Sequence, residues 1–409
     1  MDGLTVFRRC VRFGSERSRT WGMNIARSVF AQLLDGIRPA EFERCAAQHP
    51  MVRRPRRFSA YDHFACMVFA QLTHRRSLRD LEACLNARPD RLYHAGIRGR
   101  VSRCNLAYAN EHRDWRVFAR AAEVLMRRAR RGQGTTPAPV TADILAFDAS
   151  LIDVSLALCP WAHRQQSQAA IRLNVLLDVA LELPRFASVT AGDRHEVAGL
   201  DEVPVYPGSY YIMDRGYLDF RRLHRLQRHG AFFVVRARSS LRFRAVRSTR
   251  VDKAGGLRCD QIIVLRRAPS ARAYPEPLRR IRYVDPEHGH TFVFLTNQFA
   301  LAPAVIAELY RRRWQVELFF RWIKQHLSLR TFFATSPNGV RIQVWSALCA
   351  HLLVAIAQQR LALPGSLYQI LQLISVCIWE KSTLPELLTK PHGLDSEADS
   401  HNQLKFKGF

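Results

Sequence analysis

The sequence predicts an α/β core carried between two helical regions. Three observations point there. From 144 to 238, short apolar runs alternate with amphipathic stretches, the rhythm of strands and helices sharing one sheet. On either side, over 23–130 and 341–379, apolar residues keep helical spacing instead. Between the first helical region and the core lies "RGQGTTPAPVTA" (131–142), whose Gly, Pro and Thr mark a boundary.

A chain of 409 residues has room for two or three domains and a substantial core. Its charge is far from balanced: 62 Lys and Arg face 35 Asp and Glu, a formal +27 spread along the chain. Only six of the basic residues are lysines, leaving 56 arginines, whose planar forks match phosphate oxygens. A polyanionic partner follows. Nine cysteines without any C-x-x-C pair argue against a disulfide framework and a zinc site. The apolar run "WSALCAHLLVAIA" (345–357) is cut off by "QQR", short of a membrane span. Residues 1–22 lack the apolar core of a secretory signal and read as an upstream extension, so that Met1 and Met23 are rival starts. A protein that stays inside the cell, off the membrane, is expected.

In the first helical region, "SAYDHFACMVFAQL" (59–72) is amphipathic, and Ser77 can cap "SLRDLEACLN" (77–86). A short helix follows Pro89, and Ser102 opens what reads as one helix through Arg131. Arg100, Arg103, Asn105 and Asn110 near its start suggest a helix-turn-helix-like DNA reader, with a plain helical bundle as the alternative. In the core, "ILAF" (144–147) is a strand delivering Asp148, and 171–180 and 185–191 are further strands. "SYYIM" (209–213) delivers Asp214; a helix over 219–230 and a strand over 231–238 follow. Between 239 and 298, "DQIIVL", "RRIRYVD" and "TFVFLTN" read as a β-rich insertion. Residues 310–327 form a helix, 341–379 return to helix interrupted at Pro364–Gly365, and the polar tail 391–409 reads as disordered.

Two acids stand out. Asp148 and Asp214 each follow a buried strand, at the edge where α/β sheets hold ligands. Glu317 lies on a helix edge: with Tyr310 at zero and about 100° per residue, Arg313, Glu317 and Lys324 fall within roughly 60°. Three carboxylates supply hard oxygen donors suited to Mg²⁺ or Mn²⁺, and two such ions activate water and stabilise the leaving oxygen in phosphodiester transfer. Glu317 would then be a ligand, while Tyr310, Arg313 and Lys324 hold phosphates. The bland alternatives are a turn or cap role for each aspartate and i,i+4 pairs from Glu317 to Arg313 and Arg321. Asp143, Asp153, Asp178, Asp193 and Asp219 are rival acids.

These residues carry a resemblance. Tyr310, Arg313, Glu317 and Lys324 fill "Y-x-x-R-x-x-x-E-x-x-x-x-x-x-K", which resembles the signature of the bacterial insertion-sequence transposases of family four. "FDAS" (147–150) and "MDRGYLDF" (213–220) are similar to that family's two aspartate regions, in order, and the likeness covers about 23–385. The resemblance implies a DDE transposase with a ribonuclease-H-like core, a metal triad of Asp148, Asp214 and Glu317, and two Mg²⁺ ions, with Mn²⁺ as substitute. It implies DNA contacts from Arg215, Tyr310, Arg313 and Lys324. It also implies a dimer assembled on double-stranded DNA, namely the element's terminal inverted repeats and a target, in the bacterial cytoplasm at the nucleoid. The organisation expected is 1–22 extension, 23–130 helical DNA-binding domain, 131–142 linker and 143–338 catalytic domain with its insertion at 239–298. A helical region at 339–390 and the tail at 391–409 complete it.

His195 has two readings, support of the metal site or a turn cap. Phe292 is read as a core strand residue, with stacking on a flipped base as the alternative. Family members often carry lysine and histidine where this chain has Arg172 and Asn174. The activity expected is cut-and-paste movement by hydrolysis and transesterification. Rivals are a metal-dependent nuclease of the same fold and a non-catalytic DNA-binding regulator, the relic of a transposase.

Overall fold

A computed structural model describes residues 27–51, 58–131, 140, 142–154, 163–165, 168–253, 255–286, 288–327, 329 and 331–389. The extension 1–22, most of the 131–142 boundary and the tail 391–409 lie outside the described residues.

Seven helices come first: α1 (Val29–Leu34), α2 (Pro39–Ala47), α3 (Ala60–Leu72), α4 (Leu78–Asn86), α5 (Pro89–Leu92), α6 (Arg103–His112) and α7 (Arg116–Arg131). Ser59 starts α3 with a reciprocal cap: its hydroxyl accepts the Asp62 N–H at 3.0 Å, and Asp62 accepts the Ser59 N–H at 2.8 Å. Ser77 caps α4 through the Asp80 N–H, as its position in the sequence predicts. The single helix expected over 102–131 is instead broken between α6 and α7. Arg113 is extended there, and its buried guanidinium donates to the Ser59 carbonyl at 2.8 Å. Breaking a helix frees backbone groups, and one distant side chain takes three of them. Asn338 donates to the carbonyls of Asn110 and Arg113, both at 2.7 Å, and accepts from the Trp115 N–H at 3.1 Å.

α4 and α6 pack together but are joined by 87–102, far longer than the turn of a helix-turn-helix motif. Asn86 pins the end of that connection, bonding both the N–H and the carbonyl of Val101. Arg100, Arg103 and Asn105 are exposed; Asn110 is buried, with its Oδ1 at 2.9 Å from His63 Nε2, and is not available to read DNA.

The core is one mixed sheet. Strands β1 (Ile144–Val154), β2 (His163–Gln165), β3 (Gln168–Asp178), β4 (Leu183–Ala191) and β5 (Tyr210–Met213) lead into α8 (Phe220–Arg228) and β6 (Phe232–Arg236). β3 is antiparallel to both β1 and β4, whereas β1, β5 and β6 are parallel, in the order β4-β3-β1-β5-β6. That order and polarity make a ribonuclease-H-like core. β7 (Phe243–Thr249), β8 (Leu257–Leu265), the short helix α9 (Ala268–Ala273), β9 (Leu278–Val284) and β10 (Thr291–Thr296) follow. β10 pairs antiparallel with β6, so the strands between 239 and 298 extend the same sheet to an edge at β7.

Strand alternation gives the sheet two apolar faces. Leu145, Phe147, Tyr211, Met213 and Phe233 point to one, covered by α8. Ile144, Ala146, Ile212 and Val234 point to the other, where α10 (Pro303–Arg311), α11 (Trp314–His326) and α12 (Pro337–Leu361) pack, followed in the chain by α13 (Leu367–Cys377) and α14 (Leu384–Thr389). α12 is long and apolar enough to cross a membrane, but 94% of its apolar window is buried in the protein, and it is a core helix. α3 and α7 pack on it, so the amino-terminal helices and the sheet share one hydrophobic body.

Candidate active site

Parity positions the two aspartates. Asp148 shares the strand face of Ile144 and Ala146, and Asp214 that of Tyr210 and Ile212, so both look toward α11. Asp214 follows the last residue of β5, where the sequence reading puts it. Asp148 does not end its strand; it is the fifth residue of eleven in β1. β1 pairs with β5 only through Ile144–Ala146 and then continues against β3 alone. Asp148 therefore stands where the two parallel strands part, which leaves the same opening as a strand end.

The helix expected over 310–327 is also interrupted. α10 ends at Arg311 and α11 begins at Trp314, with Arg312 and Arg313 between them. Both keep right-handed helical dihedrals and the bonding shortens to i→i+3 there, so the edge is locally tightened, and Tyr310 and Arg313 on it meet the aspartates. The Tyr310 hydroxyl donates to Asp214 Oδ1 at 2.9 Å. Arg313 is largely buried; its Nη2 donates to Glu317 Oε1 at 2.6 Å and its Nη1 lies 3.7 Å from Asp148 Oδ2. The i,i+4 pair to Glu317 of the bland reading is thus present, and the same guanidinium also reaches across to β1.

A fourth acid was not singled out in the sequence. Glu196 begins a 3-10 turn over Glu196–Asp201 and accepts the Tyr217 hydroxyl at 2.7 Å; that hydroxyl lies 3.2 Å from Asp148 Oδ1. In "DRHEV" the histidine draws the eye, but His195 caps nothing with its side chain. The only local signal for Glu196 was its place between β4 and β5. Burial pushes the Asp148 carboxyl up to about 6; the Ala149 N–H and Arg313 offset this in part, and Glu196 adds to it. Burial and the neighbouring carboxylates hold the Tyr217 and Tyr310 hydroxyls far above the usual tyrosine range, so both serve as donors. Glu196, Asp148 and Glu317 are thus linked through Tyr217 and Arg313, while Asp214 is held separately by Tyr310, a set of carboxylates in a chain of net +27.

Three of the five rival acids have structural work, and Asp193 is exposed. Asp219 caps α8, Asp143 pairs with Arg185, and Asp178 caps a turn at Leu181 while pushed upward by burial. Asp153 lies close enough to Lys324 to favour its charge, while burial of that lysine lowers its pKa. Arg215 is exposed beside Asp214. Phe292 packs against Phe294 and Tyr310 with the Arg236 guanidinium 5.0 Å from its ring centre, a core contact at the rim of the site. Asn174 is fully buried and donates to Ser188 and Thr190, and Arg172 donates to the Gly192 carbonyl.

Among the described residues, no three His, Cys, Asp or Glu side chains are grouped to hold a metal ion in this conformation. Arg313 supplies the positive charge between Asp148 and Glu317 instead. The donor set nevertheless fits a hard divalent cation: it is all oxygen, and Asp148 is largely removed from solvent, with Arg313 only partly offsetting the rise of its pKa.

Residues 140–353 match the family described as "Transposase DDE domain", and residues 26–98 match a domain of unknown function, DUF4372. Over 292 residues the chain is 30% identical to a putative transposase, y4zB, of Sinorhizobium fredii, covering 70% of this chain and 80% of that protein. Over 209 residues it is 26% identical to a probable transposase for insertion sequence element IS5377 of Geobacillus stearothermophilus, covering 51% of this chain and 54% of the relative. A solved piggyBac transposase synaptic complex with hairpin DNA aligns over 90% of this chain and 80% of its own, at 10% identity and a TM-score of 0.44.

Proposed function

The chain belongs to the transposase DDE domain family, and on that premise we propose that it moves an insertion sequence by cut-and-paste chemistry at Asp148, Asp214 and Glu317. A DDE transposase is a DNA-cleaving phosphoryl-transfer enzyme whose domain generally uses divalent metal ions. The observation that supports the reading is that Arg313 spans Asp148 of β1 and Glu317 of α11 while Tyr310, three residues before it, holds Asp214 at the end of β5. These three would hold Mg²⁺ or Mn²⁺, which when bound supplies Lewis acidity toward water and the phosphoryl oxygens.

The protein's own groups do the rest. Tyr310 fixes the rotamer of Asp214 through its hydroxyl, and Tyr217, tied to Glu196, does the same for Asp148. Arg313 neutralises Asp148 and Glu317 until the site is filled, and its fork is then free for a phosphate. Lys324 stands two turns along α11 from Glu317, and Arg215 beside Asp214, where each can pair with a neighbouring phosphate. One site serves hydrolysis and transesterification, because in-line displacement changes only its nucleophile. The exposed Arg100, Arg103 and Asn105 contact the terminal inverted repeats, and two copies of the chain pair on DNA in the bacterial cytoplasm.

The test incubates the protein with Mg²⁺ and a duplex bearing the inverted repeats that flank its gene. Nicked, hairpin and joined products are expected. Nicks alone identify a nuclease, and binding without a nick identifies a regulator. Asp214→Asn and Glu317→Gln should abolish cleavage while end binding persists; full cleavage by either removes that residue from the site.

A further inference from the structure

A cleft of about 700 Å³ opens on the face of the sheet away from α11, between α8, the turn from β6 to β7 and the start of α9. Six of its fifteen lining residues are arginines (221, 222, 225, 238, 242 and 267), against 56 of 409 in the chain. Two are already engaged. Arg222 pairs with Asp201 at 2.6 Å and Asp219 at 2.9 Å, and Arg225 donates to the carbonyls of Leu200, Asp201 and Val203. Arg221, Arg238, Arg242 and Arg267 are exposed and form no ion pair among the described residues.

Four uncompensated guanidinium groups around one concavity repel each other unless an anion lies between them. The cleft also adjoins the chemistry: Arg238 Nε lies 3.4 Å from the carbonyl oxygen of Arg215, the residue after Asp214. Leu218 and Phe220 give the same lining an apolar side, suited to sugar and base faces. Lys324 lies on the opposite, α11 face, as do the helices offered for end recognition. Arg215 and Arg238 therefore connect the end of β5 on that face with the rim of the cleft on this one.

We propose that this cleft holds the DNA strand running on past the bond to be cut, on the flanking side, through its phosphates. This rests on the transposase reading above. The test compares two duplexes, one ending at the cleavage point and one continuing ten base pairs into flanking DNA. Full-length wild type and Arg221→Ala/Arg267→Ala are titrated without divalent metal over a range of salt. Each phosphate contact contributes about 0.7 to 0.9 to the logarithmic salt slope. The double variant should lose about 1.4 to 1.8 of slope on the long duplex and none on the short one, and Arg221→Lys/Arg267→Lys should restore it. Equal losses on both duplexes would place the transposon side in the cleft, and no loss on either would leave it a solvated basic face; both overturn the proposal. Failure of the wild type to nick would sink the transposase reading instead, and the metal-free slopes are read independently of it.

Discussion

Asp148→Asn should make the protein more stable in the absence of divalent metal while destroying its cleavage. The Asp148 carboxyl is raised from 3.8 to about 6 by burial, so the folded state holds its proton more tightly than the unfolded chain. A raised carboxyl is a stability term present below the unfolded pKa near 4 and lost as pH climbs through 6. At about 1.4 kcal/mol per unit, the ionised form costs the fold about 3 kcal/mol at pH 8 and about half that at pH 5. The asparagine has the same shape and carries no such cost, although its amide faces Arg313 less well and returns part of the gain. A net stabilisation of about 1 to 3 kcal/mol at pH 8 is therefore expected, shrinking toward pH 5. Urea unfolding of both proteins in chelator, followed at the two pH values, measures it. Mg²⁺ at a hundred times its dissociation constant should then stabilise the wild type by about 2.7 kcal/mol and the variant by much less. A wild type more stable than the variant in chelator at pH 8, or a gap that does not change with pH, would refute the account of a carboxylate held in want of a cation.

Further outcomes are expected. Lys324→Ala should reduce the salt slope of end binding by about 0.9 and slow cleavage; Arg311, exposed and within 3.5 Å of Glu308, is the control, and equal damage from Arg311→Ala would mean a general basic face. Tyr217→Phe should slow cleavage by uncoupling Glu196 from Asp148 with little change in end affinity; unchanged single-turnover rates would show that Glu196 plays no part. His351 is buried in α12 with both ring nitrogens unpaired in this structure, and its pKa is lowered by burial to about 3. Below pH 6.5 the unfolded chain takes up a proton that this ring refuses, so stability falls by about 2 kcal/mol on going to pH 5. His351→Leu should flatten that decline in urea titrations, and an identical acid profile would count against the assignment.

The strands and most helices were legible because their apolar periods are local. Ser59 and Ser77 could be read as helix starts for the same reason: cap and partner lie three residues apart. Both helix breaks were missed. Nothing near Arg113 announces that Asn338, over two hundred residues away, will bond the freed backbone. At Arg312–Arg313, strong helix formers give no sign of the local tightening that the fold shows there. Asp148, Asp214 and Glu317 could be named because strand ends and a spaced signature are sequence features, whereas Glu196 enters only through a tyrosine brought to it by the fold. The mid-strand position of Asp148 was equally hidden, since the length of β1 is set by its pairing with β3.

The packing of α7 on α12 also sets an order in time. The apolar stripe Val117, Phe118, Ala121, Ala122 and Leu125 leaves the ribosome roughly 230 residues before α12 is finished. At about 5 to 20 residues per second, that stripe waits about 10 to 45 seconds for its partner. Until then Asn338 cannot brace the α6–α7 corner, which is held from the α3 side by Arg113 on Ser59 and His63 on Asn110. The amino-terminal helices thus reach their final packing only after the catalytic domain has been synthesised, and a chain cut short before α12 leaves that apolar stripe uncovered.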